Sequence, residues 1–472
     1  MDQQQLREME NRCIQEQAPA CMASCPIHVD GRAISGLISK GDFSEAYKLY
    51  RKVNPFPGII SRICDQPCKA SCLRKDLGGS IEMAALERAL VDFGANSYSD
   101  PKPLPRKSKK VAIIGGGLSG LTAAYDLARK GWGIVVFEAD DHLGGSLWKI
   151  SPDILPRDII SCDLRIFDQL EIDVKFNSHV GNFGGDENYT SIEKICEEFD
   201  AVFLAIGSYS HGFSDLRMTP TGLLDIDPLT FQTSNEKVFA GGDVLRISSK
   251  IETVKNSYSA VLSMSEGRRA AISIDRYLQK VSLTASRINE GPYTTKLYTN
   301  TEKITESISL VSSDQNTIYS SKNASEEAQR CIQCECLECV KQCEYLSHYK
   351  GYPKKYIREV YNNLAIVMGT RHSNQFINTC AMCGLCAEIC PEDVNMGDVC
   401  HEARVTMVEQ KRMPPSAHDF ALRDMAFSNS DKFALFKGQP GEKSQQTVEF
   451  AFFPGCQLSG SSPSHVEKAY KY

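Results

Sequence analysis

No stretch of this 472-residue sequence holds enough consecutive apolar residues to cross a bilayer as a helix. Its opening, MDQQQLREMENRC, is polar and lacks the apolar core of a signal peptide. The two absences predict a soluble, cytoplasmic protein. An excess of charge is missing as well: the net charge of -6, with 24% charged residues, makes neither a basic stripe for nucleic acid nor an acidic tail. The nine histidines show no HExxH or other paired spacing, and none is given a role. No solenoid repeat is present, although the C-terminal cysteine groups read as a ferredoxin-like duplication. Cysteine is absent between Cys72 and Cys162, which separates six cysteines from Cys13 to Cys72 from ten between Cys331 and Cys400. Nineteen cysteines bunched at short spacings, in a long chain without a secretion signal, point to metal ligation rather than disulfides.

The length suits about three domains. Apolar positions at helical spacing over 30–54 and 80–95 predict a mostly helical first domain. Pro101, Pro103 and Pro105 extend it into a linker, giving a first segment of 1–105. Strand and helix patterns then alternate to about Leu278, giving a second domain over 106–280. Residues 281–325 turn rich in Ser, Thr and Asn and read as a second linker. The later cysteines fall in 326–412, and 413–472 is left as a linker and the start of a further domain.

The strand Val111-Ala-Ile-Ile114 runs into Gly115-Gly116-Gly117-Leu118-Ser119-Gly120 and a helical run. Gly115 permits a tight turn, Gly117 lets backbone approach a pyrophosphate, and Gly120 lets helix and strand pack closely, with the helix N-terminus facing the phosphates. A second strand, Ile134 to Phe137, ends at Glu138, where a carboxylate can hydrogen-bond an adenosine ribose. The segments Glu138 to Gly144-Gly145, Asp200 to Gly207 and Val238 to Gly242-Asp243 resemble the FAD domain of the glutathione-reductase-like flavoproteins. The resemblance implies an α/β Rossmann-like fold, FAD as cofactor, and Asp243 at the ribityl chain. Relatives insert an NAD(P)H domain between the segments that end here at Gly207 and resume near Val238. Only residues 208–237 separate them, too few for a second nucleotide-binding domain, and no other GxGxxG occurs. Direct oxidation of NAD(P)H is therefore in question.

Cys13-x7-Cys21-x3-Cys25-Pro26 is followed by Cys64-x3-Cys68-x3-Cys72. These are not the paired knuckles that zinc favours, and thiolate runs ending in Cys-Pro suit 4Fe-4S clusters better. Residues 1 to about 95 resemble the N-terminal iron-sulfur domain of the glutamate synthase small subunit and of dihydropyrimidine dehydrogenase. Those proteins begin C-x2-C-x4-C-x3-C-P, so Glu16 stands here where a cysteine is expected. The resemblance implies one cluster on Cys13, Cys21 and Cys72, with Glu16 either an oxygen ligand or a solvated residue beside an incomplete site. It implies a second on Cys25, Cys64 and Cys68, with Glu87 as a carboxylate ligand.

Cys380-x2-Cys383-x2-Cys386-x3-Cys390-Pro391 has bacterial ferredoxin spacing, in which three cysteines hold one cubane and the fourth reaches a neighbouring one. Its partner group, Cys331, Cys334, Cys336, Cys339 and Cys343, is irregular, because strict spacing asks for a cysteine at Gln333. Cys331 and Cys334 compete for that place. The two groups resemble the helical dicluster ferredoxin of heterodisulfide-reductase-like and anaerobic glycerol-phosphate dehydrogenase subunits. In that family a cysteine-rich domain follows, and the segment Glu449 to Gly460 around Cys456 resembles its opening, which implies a chain that ends early in that domain. Cys162 and Cys196 read as structural thiols, and Cys400 is undecided.

Taken together the resemblances imply a multidomain oxidoreductase subunit from an anaerobe, with FAD and up to four 4Fe-4S clusters. Its expected role is to relay electrons within a hetero-oligomeric complex, with other redox subunits or a ferredoxin as partners. Three readings compete with it: a reductase that uses NAD(P)H at a partner subunit's nicotinamide site, a non-catalytic electron-wire or scaffold adaptor, and a zinc-binding protein.

Overall fold

The computed structural model describes residues 3–181, 189–207, 213, 216–220, 223–245, 259–309, 319–366, 370–412, 415–428 and 462–472, with a few single positions between 430 and 458. The chain forms two compact units, residues 14–337 and residues 1–13 together with 338–472.

The larger unit begins with short helices. Asp30 accepts from the Ala33 N–H at 2.9 Å and Asp42 from the Glu45 N–H at 3.1 Å. The helical stretch read over 30–54 is therefore two capped helices, Gly31–Ile38 and Phe43–Val53, broken at Gly41, whose φ is 80°. Pro57–Ile63 starts on a proline, which suits a first helical turn, and Met83–Gly94 closes the group. Ile34, Ile38, Tyr50, Ile59, Ile60, Leu86 and Leu90 fill its interior.

A parallel five-stranded sheet follows, from β1 (Lys110–Ile114), β2 (Gly133–Phe137), β3 (Ile172–Lys175), β6 (Ala201–Leu204) and β7 (Val238–Ala240), in the order β3-β2-β1-β6-β7. A two-residue pair, β4 (His179–Val180) and β5 (Tyr189–Thr190), lies outside it. Strand alternation sorts the core: Val111, Ile113, Val136 and Phe203 face the helices Leu118–Arg129 and Ala260–Gln279, while Ala112, Ile114, Val202 and Leu204 pack with Ile192, Ile195 and Phe199. The first of these layers is continuous with the core of the N-terminal helices. Phe56 meets Phe167 with ring centroids 6.1 Å apart, and the Ile59 N–H donates to Asp163 at 2.8 Å.

The two sequence linkers have no helix or strand over 98–109 and 281–309 but are bonded along their length. The Leu104 N–H donates to the Arg129 carbonyl at 2.9 Å. Residues 291–309 run back over the N-terminal helices, with the Tyr293 N–H on the Ala23 carbonyl, the Lys296 N–H on Gln17 and the Ser307 N–H on the Leu77 carbonyl.

In the smaller unit the helix Gln3–Arg12 is held by the segments that carry the later cysteines. Arg358 donates to Glu10, the Arg7 guanidinium lies 5.9 Å from the Tyr361 ring centroid, and Arg12 pairs with Asp393 at 3.2 Å. Leu6, Leu346, Tyr356, Phe376, Met396 and Met407 form its core. Cys456 lies outside the described residues. No described helix is long and apolar enough to cross a membrane.

Candidate cofactor sites

The order of the sheet reverses on either side of β1, and ligands of open α/β sheets bind at such a point, beyond the carboxyl ends of the strands. The glycine turn lies there. Gly115 has φ of 102°, and a Cβ on it would come 2.4 Å from the Ala205 carbonyl oxygen. Gly120 is tighter, with a Cβ falling 2.0 Å from the Gly115 oxygen. At Gly117 a Cβ would meet nothing within 4 Å, so the backbone there borders open space. Gly117 is also the N-cap of Leu118–Arg129 and supplies no side-chain cap, which leaves first-turn N–H groups of Leu118 and Ser119 for an anion. The Ser119 hydroxyl is buried without a hydrogen-bond partner, 3.2 Å from where a Cβ on Gly242 would stand. Glu138 is buried and accepts from the Gly116 N–H at 2.6 Å and the Asp140 N–H at 3.0 Å, which ties the acidic residue to the glycine turn.

Gly144 and Gly145 close the same pocket, Gly145 lying beside the Gly117 backbone. Gly207 borders open space after β6, and the Gly242 N–H donates to Glu266 at 2.8 Å just before Asp243 opens a short turn. An orphaned hydroxyl, an uncapped helix end and open backbone fit a dinucleotide pyrophosphate. Between Gly207 and Val238 the described residues make turns and two antiparallel bridges, Met218 to Leu224 and Gln232 to Phe239, and no helix.

Two cavities lie in the N-terminal part of the same unit. One, with about 20 Å³ open to the centre of a water molecule, is walled by Cys21, Cys25, Cys64, Cys68 and Glu87. Burial raises the carboxyl of Glu87 to about 7, against the Tyr50 hydroxyl that donates to it at 3.0 Å and nearby Arg88. Burial also pushes up the thiols of Cys64 and Cys68, and Glu87 is the largest charged neighbour of both. The Gln66 N–H points at the Cys64 sulfur at 3.3 Å. Val261, on the helix that packs against the nucleotide-binding helix, belongs to this wall.

The other cavity has about 30 Å³ of such space and is walled by Cys21, Cys68, Cys72, Cys331 and Cys334. Burial raises the Cys21 thiol to about 12, and Cys331, Cys334 and Cys72 are the next causes. This grouping differs from the one read in the sequence. Cys331 and Cys334, assigned there to the ferredoxin group, stand beside Cys21 and Cys72. Glu16, read there as either an oxygen ligand or a solvated residue, is exposed and absent from both walls. Cys13 is buried in the smaller unit, in one core with Cys339 and Cys386.

In the smaller unit Cys343, Cys380 and Cys390 pack against that core, Cys383 is exposed, and Cys386 has Cys343 and Cys380 as charged neighbours. Backbone N–H groups of Met382 and Met396 point at the sulfurs of Cys380 and Cys386, at 3.4 and 3.3 Å. Such donors steady a thiolate. Cys400, undecided in the sequence, is fully buried; its thiol donates to Cys380 and holds that thiol below the usual cysteine range, while the Tyr345 hydroxyl lies 3.6 Å from the Cys400 sulfur. Cys336 keeps its three-residue spacing to Cys339, and its N–H donates to Gln15 at 2.6 Å. Cys162 is exposed rather than buried, and Cys196 is half-buried. Among the described residues no three His, Cys, Asp or Glu side chains converge on a point small enough for a single metal ion. The donors are spread around cavities, an arrangement that suits a multi-atom cluster.

Residues 1–98 match the model of dihydropyrimidine dehydrogenase domain II, 4Fe-4S cluster; residues 91–260 match pyridine nucleotide-disulphide oxidoreductase; residues 330–395 match the 4Fe-4S dicluster domain. Two of these models are of iron-sulfur domains and the third is of an oxidoreductase domain. The chain is 32% identical over 204 residues to the NADPH-Fe(3+) oxidoreductase subunit beta of Geobacter sulfurreducens, covering 42% of this chain and 30% of that protein. It is 29% identical over 214 residues to the NADP(+)-dependent formate dehydrogenase subunit beta of Moorella thermoacetica, covering 40% of this chain and 29% of that one. With the glutamate synthase (NADPH) small chain of Escherichia coli it shares 30% over 210 residues, 43% of each chain. The chain thus spans less than half the length of these curated relatives. Among solved structures, a thioredoxin reductase from Gloeobacter violaceus aligns at 14% identity, with 37% of this chain, 97% of that one and a TM-score of 0.23.

Proposed function

We propose that this chain is a subunit that relays electrons between 4Fe-4S clusters and FAD inside a larger redox complex. The observation that carries the reading is the shared wall of the two cavities: Cys21, Cys68, Gly31 and Met83 line both, and Val261 of the Glu87 cavity lies on the helix packed against the nucleotide-binding helix. Flavin exchanges electrons in pairs or singly and clusters exchange them singly, so the pair converts two-electron chemistry to one-electron transport.

The chain's own residues hold and insulate. Gly115, Gly117, Leu118, Ser119 and Gly120 would seat the pyrophosphate, Glu138 the adenosine ribose, and Gly144, Gly145, Gly207, Gly242 and Asp243 the flavin side of the pocket. Cys25, Cys64, Cys68 and Glu87 would hold a cluster with one carboxylate, a harder ligand than thiolate and one that changes cluster charge. Cys339, Cys343, Cys380, Cys383, Cys386 and Cys390, with Cys336 by spacing, would serve the ferredoxin clusters. Complexes are the setting of the named relatives, two of which are called beta subunits and one a small chain.

A second reading, reduction by NAD(P)H at a nicotinamide site supplied by another subunit, is favoured by the names of those relatives, which cite NADPH or NADP. Anaerobic titration separates the two. The relay reading expects flavin bleaching by a reduced ferredoxin and none by NADPH or NADH with this chain alone. Rapid bleaching by NADPH alone would remove it. Quantitation should give roughly 16 irons per FAD for four cubanes, and zinc in place of iron would end both readings.

A further inference from the structure

We infer that Cys21, Cys72, Cys331 and Cys334 form one complete ligand set for a 4Fe-4S cluster, so that the N-terminal iron-sulfur module is finished by a chain segment from beyond the flavin domain. The inference rests on the cluster chemistry proposed above and settles on ligands that the sequence pattern placed elsewhere.

Four observations support it. The four thiols wall one cavity, and Cys72, Cys331 and Cys334 line that cavity and not the adjoining one. Cys68 lines both cavities, and with Cys25, Cys64 and Glu87, which line only the adjoining one, it completes a second set of four there. Two buried hydroxyls with no nitrogen or oxygen partner, Ser35 and Thr299, turn instead to cysteines of this cavity, Ser35 to Cys331 and Thr299 to Cys334. Donors of this kind steady thiolates.

The fourth observation is the anchoring of the segment. Arg330 is buried against Glu327 and donates to the carbonyls of Gly78, Gly79 and Ser307 at 3.0, 2.8 and 2.9 Å. Glu327 in turn accepts from the Glu82 N–H at 3.0 Å. Arg32 donates to the Cys334 carbonyl at 2.6 Å while Gln333 donates back to the Arg32 carbonyl at 3.1 Å. Gln333, which broke the ferredoxin spacing, is thus a latch on the helix Gly31–Ile38. A Cβ on Gly78 would fall 2.2 Å from the Ser307 oxygen, so the docking surface is shaped for this strap. The set is all thiolate, which makes the Glu87 site the only carboxylate-bearing one of the pair.

The test is additivity of iron loss in the full chain. Iron and FAD are quantified, and low-temperature EPR spectra of the reduced protein recorded, for Cys21→Ala, for the double variant Cys331→Ala/Cys334→Ala, for all three together, and for Glu16→Gln. The proposal expects about four irons per FAD lost in the first three alike, with the same EPR signal missing from each, and none lost in Glu16→Gln. If Cys331 and Cys334 served the ferredoxin module instead, the triple variant would lose about eight, and that result overturns the assignment. Full iron retention in the double variant, or loss of four irons in Glu16→Gln, overturns it equally. Should the alanine variants fail to fold, Cys334→Ser keeps the test: its oxygen ligand should retain iron and shift that one signal, and an unchanged spectrum counts against the proposal. An iron-free wild-type protein would be a failure of the relay reading rather than of this ligand assignment.

Discussion

Two cysteine-rich regions of this molecule are built on opposite principles. Cys380, Cys383, Cys386 and Cys390 come from one short loop and helix, and the N–H groups of Met382 in that loop and Met396 just beyond it turn toward the sulfurs. Around the N-terminal cavity without Glu87 the thiols come from residues 21, 72, 331 and 334, and the last two arrive only because a buried ion pair and a strap deliver them. A local site survives most changes elsewhere in the fold. A site assembled from distant segments is only as stable as the contacts that dock them.

The sharpest way to break that contrast is Arg330→Leu. It leaves Glu327, fully buried, without its partner, and removing one member of a buried pair costs about 3–5 kcal/mol. Denaturant unfolding should show that loss together with about four irons missing per FAD. Iron loss from the ferredoxin signal instead would put the two regions on the same footing.

Gly115→Ala should be next, since φ of 102° and a 2.4 Å contact with the Ala205 oxygen both oppose a side chain. Strain of about 1–3 kcal/mol is expected, with loss of FAD seen by absorbance of the purified protein. Gly117→Ala sharpens the point, for its Cβ meets no protein atom: stability should stay within about 0.5 kcal/mol while FAD affinity falls by direct titration of the apoprotein. Equal thermal stability losses in the two variants would count against a cofactor at that backbone.

The joint between the N-terminal helices and the flavin domain carries a pH signature. Asp163 accepts from the Ile59 N–H at 2.8 Å, and burial raises its carboxyl from 3.8 to about 7. The folded state therefore holds the proton more tightly than the unfolded state. This contribution to stability is fully present below pH 3.8 and is lost as pH rises to about 7, then stays constant. Asp163→Asn, which keeps an acceptor for Ile59, should remove that slope and stabilise the protein above pH 7, on the order of a few kcal/mol. Chemical denaturation across pH 4–8 reads it, and an unchanged slope counts against a buried neutral carboxyl. The smallest effect belongs to Asp393→Asn in the ferredoxin unit: its ion pair with Arg12 is exposed and should be worth at most about 1 kcal/mol by the same measurement.

Much of the fold was readable because its signals are local. The glycine turn, the acidic residue after β2 and the parallel strands follow from spacing and apolar pattern, and each does in the structure what its position requires: Gly115 turns, Gly120 allows close packing, Glu138 meets the turn. The helical reading of 30–54 needed only the break at Gly41. The linker reading of 281–325 failed to see the strap, because a Ser- and Thr-rich segment that bonds through its backbone carries no apolar period. Ser35, Thr299 and Cys400 were invisible for the same reason: a single polar side chain signals nothing until its neighbours are known.

What the sequence determined by itself is the inventory: an FAD-type glycine turn between two sets of cysteines, with no room between Gly207 and Val238 for a second nucleotide domain. What only the tertiary structure decided is the grouping. Cys13 and Glu16 lie near Cys21 in the chain, yet Cys13 is buried in the other unit and Glu16 faces solvent, while Cys331 and Cys334 close the cavity. Spacing along the chain fixes partners only over a few residues. Across hundreds, partners are chosen by whichever buried contacts, here Arg330 with Glu327 and Gln333 with Arg32, hold the segments together.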